Sequence, residues 1–384
     1  MWTVCITSIR HVLKLNGYGG PQAKANEKRL RFKGWETLVI TNPGVRYNAS
    51  VKSVIRITTK KPVGQGFSID TKTNSKVNEQ KRMSCTESLR LNYRKGKWDT
   101  NLHLYGAYTH KQDDKLIRQM TYLDDIWGQT TAISQEYTNV NPYVRLATSY
   151  ALDADNSIGA SVSYDRYAKN LAVGNAVGMA MRNNVQTEQS LSSFESPGNS
   201  KAVLSNVYYV GKIGKVNVDF NADYYWSGKK EQMHNMERFT EVGAPESIQN
   251  IHSDRATYNR LLASKLVLSV PLASGSLSFG GEFSTSRRKS RYSLLPRALV
   301  NDDDSRIKEN MSSVLVEYSN TFGKLHVQAG MRYEHIRFNY YYQERLIAKQ
   351  VVRQFLSFIG TVDAYWEHTN ATGICHRHLP PFVL

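Results

Sequence analysis

Cys375, His376 and His378 come nearest to a metal-binding group in this chain, but a zinc site draws on two spaced ligand pairs and here there is one cluster. Cys5 and Cys85 lie far from it and no CxxC spacing occurs, so neither a zinc site nor a disulfide framework is expected. Asp302, Asp303 and Asp304 offer carboxylate oxygens of the kind calcium takes. Without EF-hand spacing they read as a solvated loop tip. Gly64-Gln65-Gly66 runs into a strand pattern and not a helix, which removes a nucleotide fingerprint. Asn48, Asn310 and Asn370 open glycosylation-like triplets that read as chance matches. No Ser, His and Asp arrangement and no carboxylate pair has a local setting for catalysis. The expectation is a protein that is not an enzyme and has no metal or cofactor. The chemistry that remains is a series of charged side chains at alternate positions: Arg90, Arg94, Asp165, Asp219, Asp223, Glu282, Arg332 and Glu334.

What positions them is a repeated unit in which apolar and polar residues alternate, the period of an extended strand. Leu89, Leu91 and Tyr93 alternate with Arg90, Asn92 and Arg94, and after Lys95-Gly96-Lys97 the pattern resumes at Trp98 and continues to Tyr108. Val144 to Tyr150 and Ile158 to Tyr164 flank a turn at Asp153 to Asn156. Beyond a turn at Gly211 to Lys215, Val216, Val218, Phe220, Ala222, Tyr224 and Trp226 oppose Asn217, Asp219, Asn221 and Asp223. Further short turns are expected at Ala273 to Gly275 and at Phe322 to Lys324. Between these hairpins, near Lys111 to Ser134, Asn170 to Ser200, Gly228 to Ala256 and Arg287 to Asn310, the chain is polar and reads as long loops.

Strands of about 9 to 11 residues, short turns at one end and long loops at the other form the pattern of an outer-membrane β-barrel. About eleven strands are counted, against about 22 in a plugged transporter barrel. The eight charged residues above are expected to face the lumen, and Trp98, Tyr108, Phe220, Tyr224 and Trp226 to face lipid or its interfacial girdles. A mean hydropathy of −0.49 without a long apolar run excludes a helical membrane protein. It leaves a barrel open, since half of every crossing strand is polar. The 50 Lys and Arg against 33 Asp and Glu give a net charge of +17. These cations are scattered through turns and alternate strand positions, so nucleic acid is not the expected partner and anionic lipopolysaccharide is. The 23 tyrosines suit interfacial girdles or a binding surface.

The stretch Val39-Ile40-Thr41-Asn42-Pro43-Gly44-Val45-Arg46-Tyr47, followed by Val54-Ile55-Arg56-Ile57-Thr58-Thr59-Lys60-Lys61, resembles the end of the plug of TonB-dependent receptors, most closely those of Bacteroidetes-type bacteria. Asn42-Pro43-Gly44 makes a turn, since Pro fixes φ and Gly accepts a positive one, and Val54, Ile55 and Ile57 make a buried strand. The resemblance implies uptake of an unidentified solute, gated by a plug and driven by a TonB-like energy transducer. It covers Val39 to Ser50 and Val54 to Lys61 and not the residues before Leu38: Gly17 to Gly20 and the basic run Lys28 to Lys33 depart from it, and no TonB box is visible. Met1 to Leu13 lacks the pattern of an export signal, and after Gln354 the alternation stops. The expectation is a truncated outer-membrane fragment: 1–62 the remnant of a plug, with 1–37 atypical; 63–354 part of an antiparallel all-β barrel with its loops; 355–384 an aberrant tail. Two other readings stay open, a non-transporting barrel with an adhesive or structural role and a secreted glycan-binding β-protein.

Overall fold

The computed structural model describes residues 64–297, 301–322 and 325–359, together with 2–6, 27–32, 35–41, 45, 53–59 and 363–364. Four short strands come first: β1 (Trp2–Ile6), β2 (Glu27–Phe32), β3 (Trp35–Thr41) and β4 (Ser53–Thr59). They pair antiparallel in the order β1-β4-β3-β2, so the strand carrying Val54, Ile55 and Ile57 is central in a small separate sheet. Asn42, Pro43, Gly44 and Tyr47 lie outside the described residues, as do Asn48, Asn370, Cys375, His376 and His378.

The large sheet is built from β5 (Gly66–Val77), β6 (Met83–Lys95), β7 (Trp98–Tyr122), β8 (Ile126–Ala151), β9 (Ser157–Arg182), β10 (Val185–Ile213), β11 (Val216–Glu241), β12 (Ser247–Leu272), β13 (Gly275–Leu295), β14 (Asp303–Phe322), β15 (Leu325–Tyr342) and β16 (Arg345–Ile359). Each pairs antiparallel with the next, and β17 (Asp363–Ala364) adds a short pairing to β15. Twelve strands therefore form one meander where about eleven were expected, and β5 and β16 are not paired with each other. Strand β16 also runs past Gln354 to Ile359, so the boundary drawn at 354 falls inside a strand.

The expected long loops are corrected by the structure. Strands β7 to β12 are 25 to 29 residues long, because the polar stretches continue the ladders upward. At about 3.3 Å per residue such a strand is roughly 85 Å long, several times what a bilayer crossing takes. Backbone ladder bonds do not require an apolar face, and Thr, Ser, Tyr and Val suit a pleated surface whether or not it is buried. Among the described residues the far ends close at 78–82, 123–125, 183–184, 242–246 and 343–344. The near-end turns at 96–97, 152–156, 214–215 and 273–274 fall where the sequence placed them, while 323–324 of the expected Phe322 to Lys324 turn lie outside the described residues. Ala273 and Ser274 take φ of +46° and +64°, the backbone of a two-residue turn that matches strand twist, although neither is Gly or Asn.

Register makes the alternation a property of the whole sheet. Residues Leu91, Leu102, Leu146, Val162, Ser205, Tyr224 and Leu262 are successive direct partners across seven strands, so they share one face. On β11 this face carries Val218 through Trp226, a band about 26 Å long at about 3.3 Å per residue.

Candidate functional site

The opposite, polar face holds a buried charge cluster near the short-turn ends of β12 to β16. One cross-strand row reads Lys265, Glu282, Ser313, Glu334 and Gln354, each the direct partner of the next. Arg332 sits one step along β15 from Glu334, on the same face, and its planar guanidinium spans the gap between two carboxylates. Its Nε donates to Glu334 Oε1 at 2.5 Å and its Nη2 to Glu282 Oε2 at 3.0 Å. Gln354 Nε2 donates to the other Glu334 oxygen at 2.5 Å. Arg332 and Glu334 are 1% and 0% exposed, and Glu317 and Ser313 beside them are buried as well. Among the described residues Arg332 Nη1 and Ser313 Oγ have no hydrogen-bond partner.

Val45 lies next to this patch: it is 3% exposed and packs over Gly330. A Cβ at Gly330 would stand 2.5 Å from Val45 Cγ2 and 3.0 Å from the Val316 carbonyl oxygen. Gly330 thus lets the Val45 side chain approach more closely than it could if both positions carried a branched side chain. It is two residues from Arg332, on the same face, opposite Glu317.

Of the eight charged residues singled out from sequence, the structure brings together Glu282, Arg332 and Glu334. The other five share the same face in separate groups. Asp223 accepts hydrogen bonds from Asn206 Nδ2 at 2.7 Å and Asn221 Nδ2 at 2.8 Å. Asp219 stands opposite Val210 and Val267 on that face. Asp165 accepts from Asn141 Nδ2 at 2.9 Å, while Arg94 pairs with Asp99 at 2.6 Å and Arg90 stands opposite Asp70 and His103. Trp98, Tyr108, Phe220, Tyr224 and Trp226 all fall on the apolar face. Trp98 packs against Tyr150 with ring centroids 4.9 Å apart, and Lys201 Nζ lies 5.3 Å from the Trp226 ring.

Sequence reasoning missed Gln354, which it placed at the failing end of the pattern, and Lys265, Ser313 and Glu317, whose neutral or isolated setting gave no signal. It also missed a histidine pair on the apolar side of the far hairpin β11–β12. There His252 Nδ1 lies 2.9 Å from His234 Nδ1, and its Nε2 bonds Asp254 at 2.8 Å. Among the described residues no group of three or more His, Cys, Asp or Glu could hold a metal. Asp302 to Asp304 are drawn instead toward cations: Arg291 Nε meets Asp304 at 3.0 Å and Arg297 approaches Asp302 at 3.8 Å.

Residues 211–358 match the outer membrane protein beta-barrel family. No curated protein matches the chain. Among solved structures it is similar to the outer membrane protease OmpT from Escherichia coli, at 12% identity over 68% of this chain and 94% of that one, with a TM-score of 0.23. The ferric citrate transporter FecA, unliganded, is 12% identical over 84% of this chain and 60% of that one, with a TM-score of 0.26. BauA, the ferric preacinetobactin receptor from Acinetobacter baumannii, is 8% identical over 85% and 68%, also with a TM-score of 0.26. At such TM-scores none of the three bears on this chain's function. With the family match and the antiparallel meander, the large sheet is outer-membrane β-barrel wall, unclosed among the described residues, and the chain's place is the outer membrane.

Proposed function

We propose that this chain is the wall and the end of the plug of a TonB-dependent receptor-type transporter for an unidentified solute. The observation that carries the reading is the burial of Arg332 and Glu334, with Val45 packed against Gly330 two residues from Arg332 on the same face. A charged patch facing an open aqueous lumen would be hydrated, whereas one capped by an internal domain is desolvated and must pair its charges. The open outer edges of β5 and β16 support a larger wall than these twelve strands, since edges lose their hydrogen-bond partners in hydrocarbon. In this reading the plug is held at the β13–β15 wall, and a TonB-like partner would supply the energy to shift it.

The test is a disulfide between Val45→Cys and Gly330→Cys, in a background where Cys5, Cys85 and Cys375 are serine. Oxidation in intact cells should form it in high yield, with solute-sized conductance in planar bilayers appearing only after reduction or after deletion of residues 1–62. Absence of the crosslink, or an identical conductance in all states, would favour a non-transporting barrel with an adhesive or structural role.

A further inference from the structure

We infer that the outward face of β12 to β14 carries a binding site for a phosphorylated lipid headgroup of the outer leaflet. The argument begins with register. Arg260, Arg287 and Lys308 are direct cross-strand partners on three adjacent strands, all on the apolar face. The row continues through Asn339 to Lys349 on β16, and on its other side through Trp226 on β11. Like charges directly opposite one another repel, and sheets ordinarily avoid the arrangement. None of Arg260, Arg287 and Lys308 has an ion-pair partner among the described residues. The nearby carboxylates Asp304 and Glu344 are engaged by Lys289, Arg291 and Arg306. Three adjacent unneutralised cations call for an external anion.

Height along the strands says which anion. Leu262 and Phe283, in the exposed apolar band, lie two and four residues from Arg260 and Arg287 respectively, so the row stands at the rim of that band, level with Trp226 at its end on β11. It lies on the side away from the Ala273–Ser274 turn. Short turns face the periplasm in this class of protein, which puts the row at the outer leaflet's headgroups. Trp226 in the same row is an aromatic of the kind that marks that interface. In the next row outward, the Tyr341 ring lies 4.6 Å from the Arg306 guanidinium and 5.2 Å from Lys308 Nζ, gathering both cations at this height. A phosphate reaching this height with its acyl chains along Leu262, Leu266 and Phe283 satisfies both halves of the surface. Arginine forks suit phosphate oxygens bidentately. The inference rests on the outer-membrane placement and not on transport, so failure of the plug test leaves it intact.

The full chain, refolded into detergent micelles, is titrated with diphosphoryl lipid A, and the bound lipid is read by native mass spectrometry together with the unfolding temperature. Wild type should retain lipid A and gain stability from it. The triple variant Arg260→Gln, Arg287→Gln, Lys308→Gln should lose retention at least tenfold, while keeping or raising its unfolding temperature without lipid because the repulsion is gone. Arg288→Gln, a neighbour on the polar face, should bind like wild type, and chemically dephosphorylated lipid A should be retained poorly by every form. Equal retention by wild type and triple variant, or equal binding of the dephosphorylated lipid, would overturn the site. So would inorganic phosphate at low millimolar concentration displacing the lipid fully, which would show an ion site only. Should the triple variant fail to refold, salt dependence of lipid A retention by wild type decides: insensitivity to added NaCl would refute the cationic row.

Discussion

Replacing Arg332 by Met should be among the most damaging single changes in the wall, although it removes a charge and keeps the side chain's bulk. The guanidinium is buried and bonds two carboxylates, Glu334 at 2.5 Å and Glu282 at 3.0 Å. Without it, Glu334 keeps a negative charge at 0% exposure with its cation gone. Breaking a buried pair in this way costs about 3 to 5 kcal/mol, or roughly a hundredfold or more in the folding equilibrium. Glu282 is 26% exposed in its side chain and can rehydrate, which points to the lower end of that range. The companion variant Arg332→Met/Glu334→Leu removes both charges and should recover most of the loss, ending within about 1 kcal/mol of wild type. Urea titration of the chain folded into phosphatidylcholine vesicles, followed by tryptophan fluorescence and heat-dependent gel mobility, measures both. If the single variant unfolds at the wild-type midpoint, the cluster is hydrated and not buried. A double variant as unstable as the single one would show that packing, not charge, holds the site.

Three further outcomes are expected. Val218→Arg should destabilise the folded protein by about 2 to 4 kcal/mol in the same titration while Asn217→Arg changes little, because only the first places a cation at lipid; equal effects would reverse the two faces. Replacing Ala273-Ser274 by Asn-Gly keeps the turn's positive φ values without the steric strain of ordinary L-residues, and should gain about 1 to 2 kcal/mol; a loss would mean the two side chains hold the turn. In the short turn at Asp153, hydrogen bonds from the Asn156 side chain and from the Asp155 and Asn156 amides hold the carboxyl below its usual range. Its contribution to turn order is therefore present above the ordinary aspartate pKa and lost as pH falls through the lowered one. Carbon NMR of labelled aspartate in micelles should show the depressed titration, and an ordinary value would remove the cap.

The near-end hairpins were legible because apolar and polar residues alternate strictly there and turn residues such as Lys95-Gly96-Lys97 interrupt them. Above the apolar band the pattern loses one of its two letters. From Lys111 to Ser134 polar and apolar residues fall on both faces without alternating, so periodicity cannot distinguish a strand from a loop, and the ladder that continues through Lys115 and Ile133 was invisible. The charge cluster was half legible for a different reason. Alternation put Glu282, Arg332 and Glu334 on the correct side of their strands, but their meeting depends on the registers of two successive hairpins, β13–β14 and β14–β15. The same holds for Arg260, Arg287 and Lys308, scattered over 49 positions and aligned only by pairing. Gln354 was lost because the strand outlasts its apolar alternation.

The length of the ladders has a consequence for how this protein tolerates change. A floppy surface loop absorbs an added residue by rearranging locally. A hairpin paired from Val216 to Glu241 and from Ser247 to Leu272 has no such slack. One residue inserted at, for instance, Glu231 must either bulge or shift every pair between it and the tip, exchanging the side on which His234 stands relative to His252. Epitope tags, natural insertions and deletions should therefore be confined to unpaired tips such as 78–82, 123–125 and 242–246. The rest of the exposed region would vary by substitution alone, like a woven edge whose thread count is fixed while its colours change.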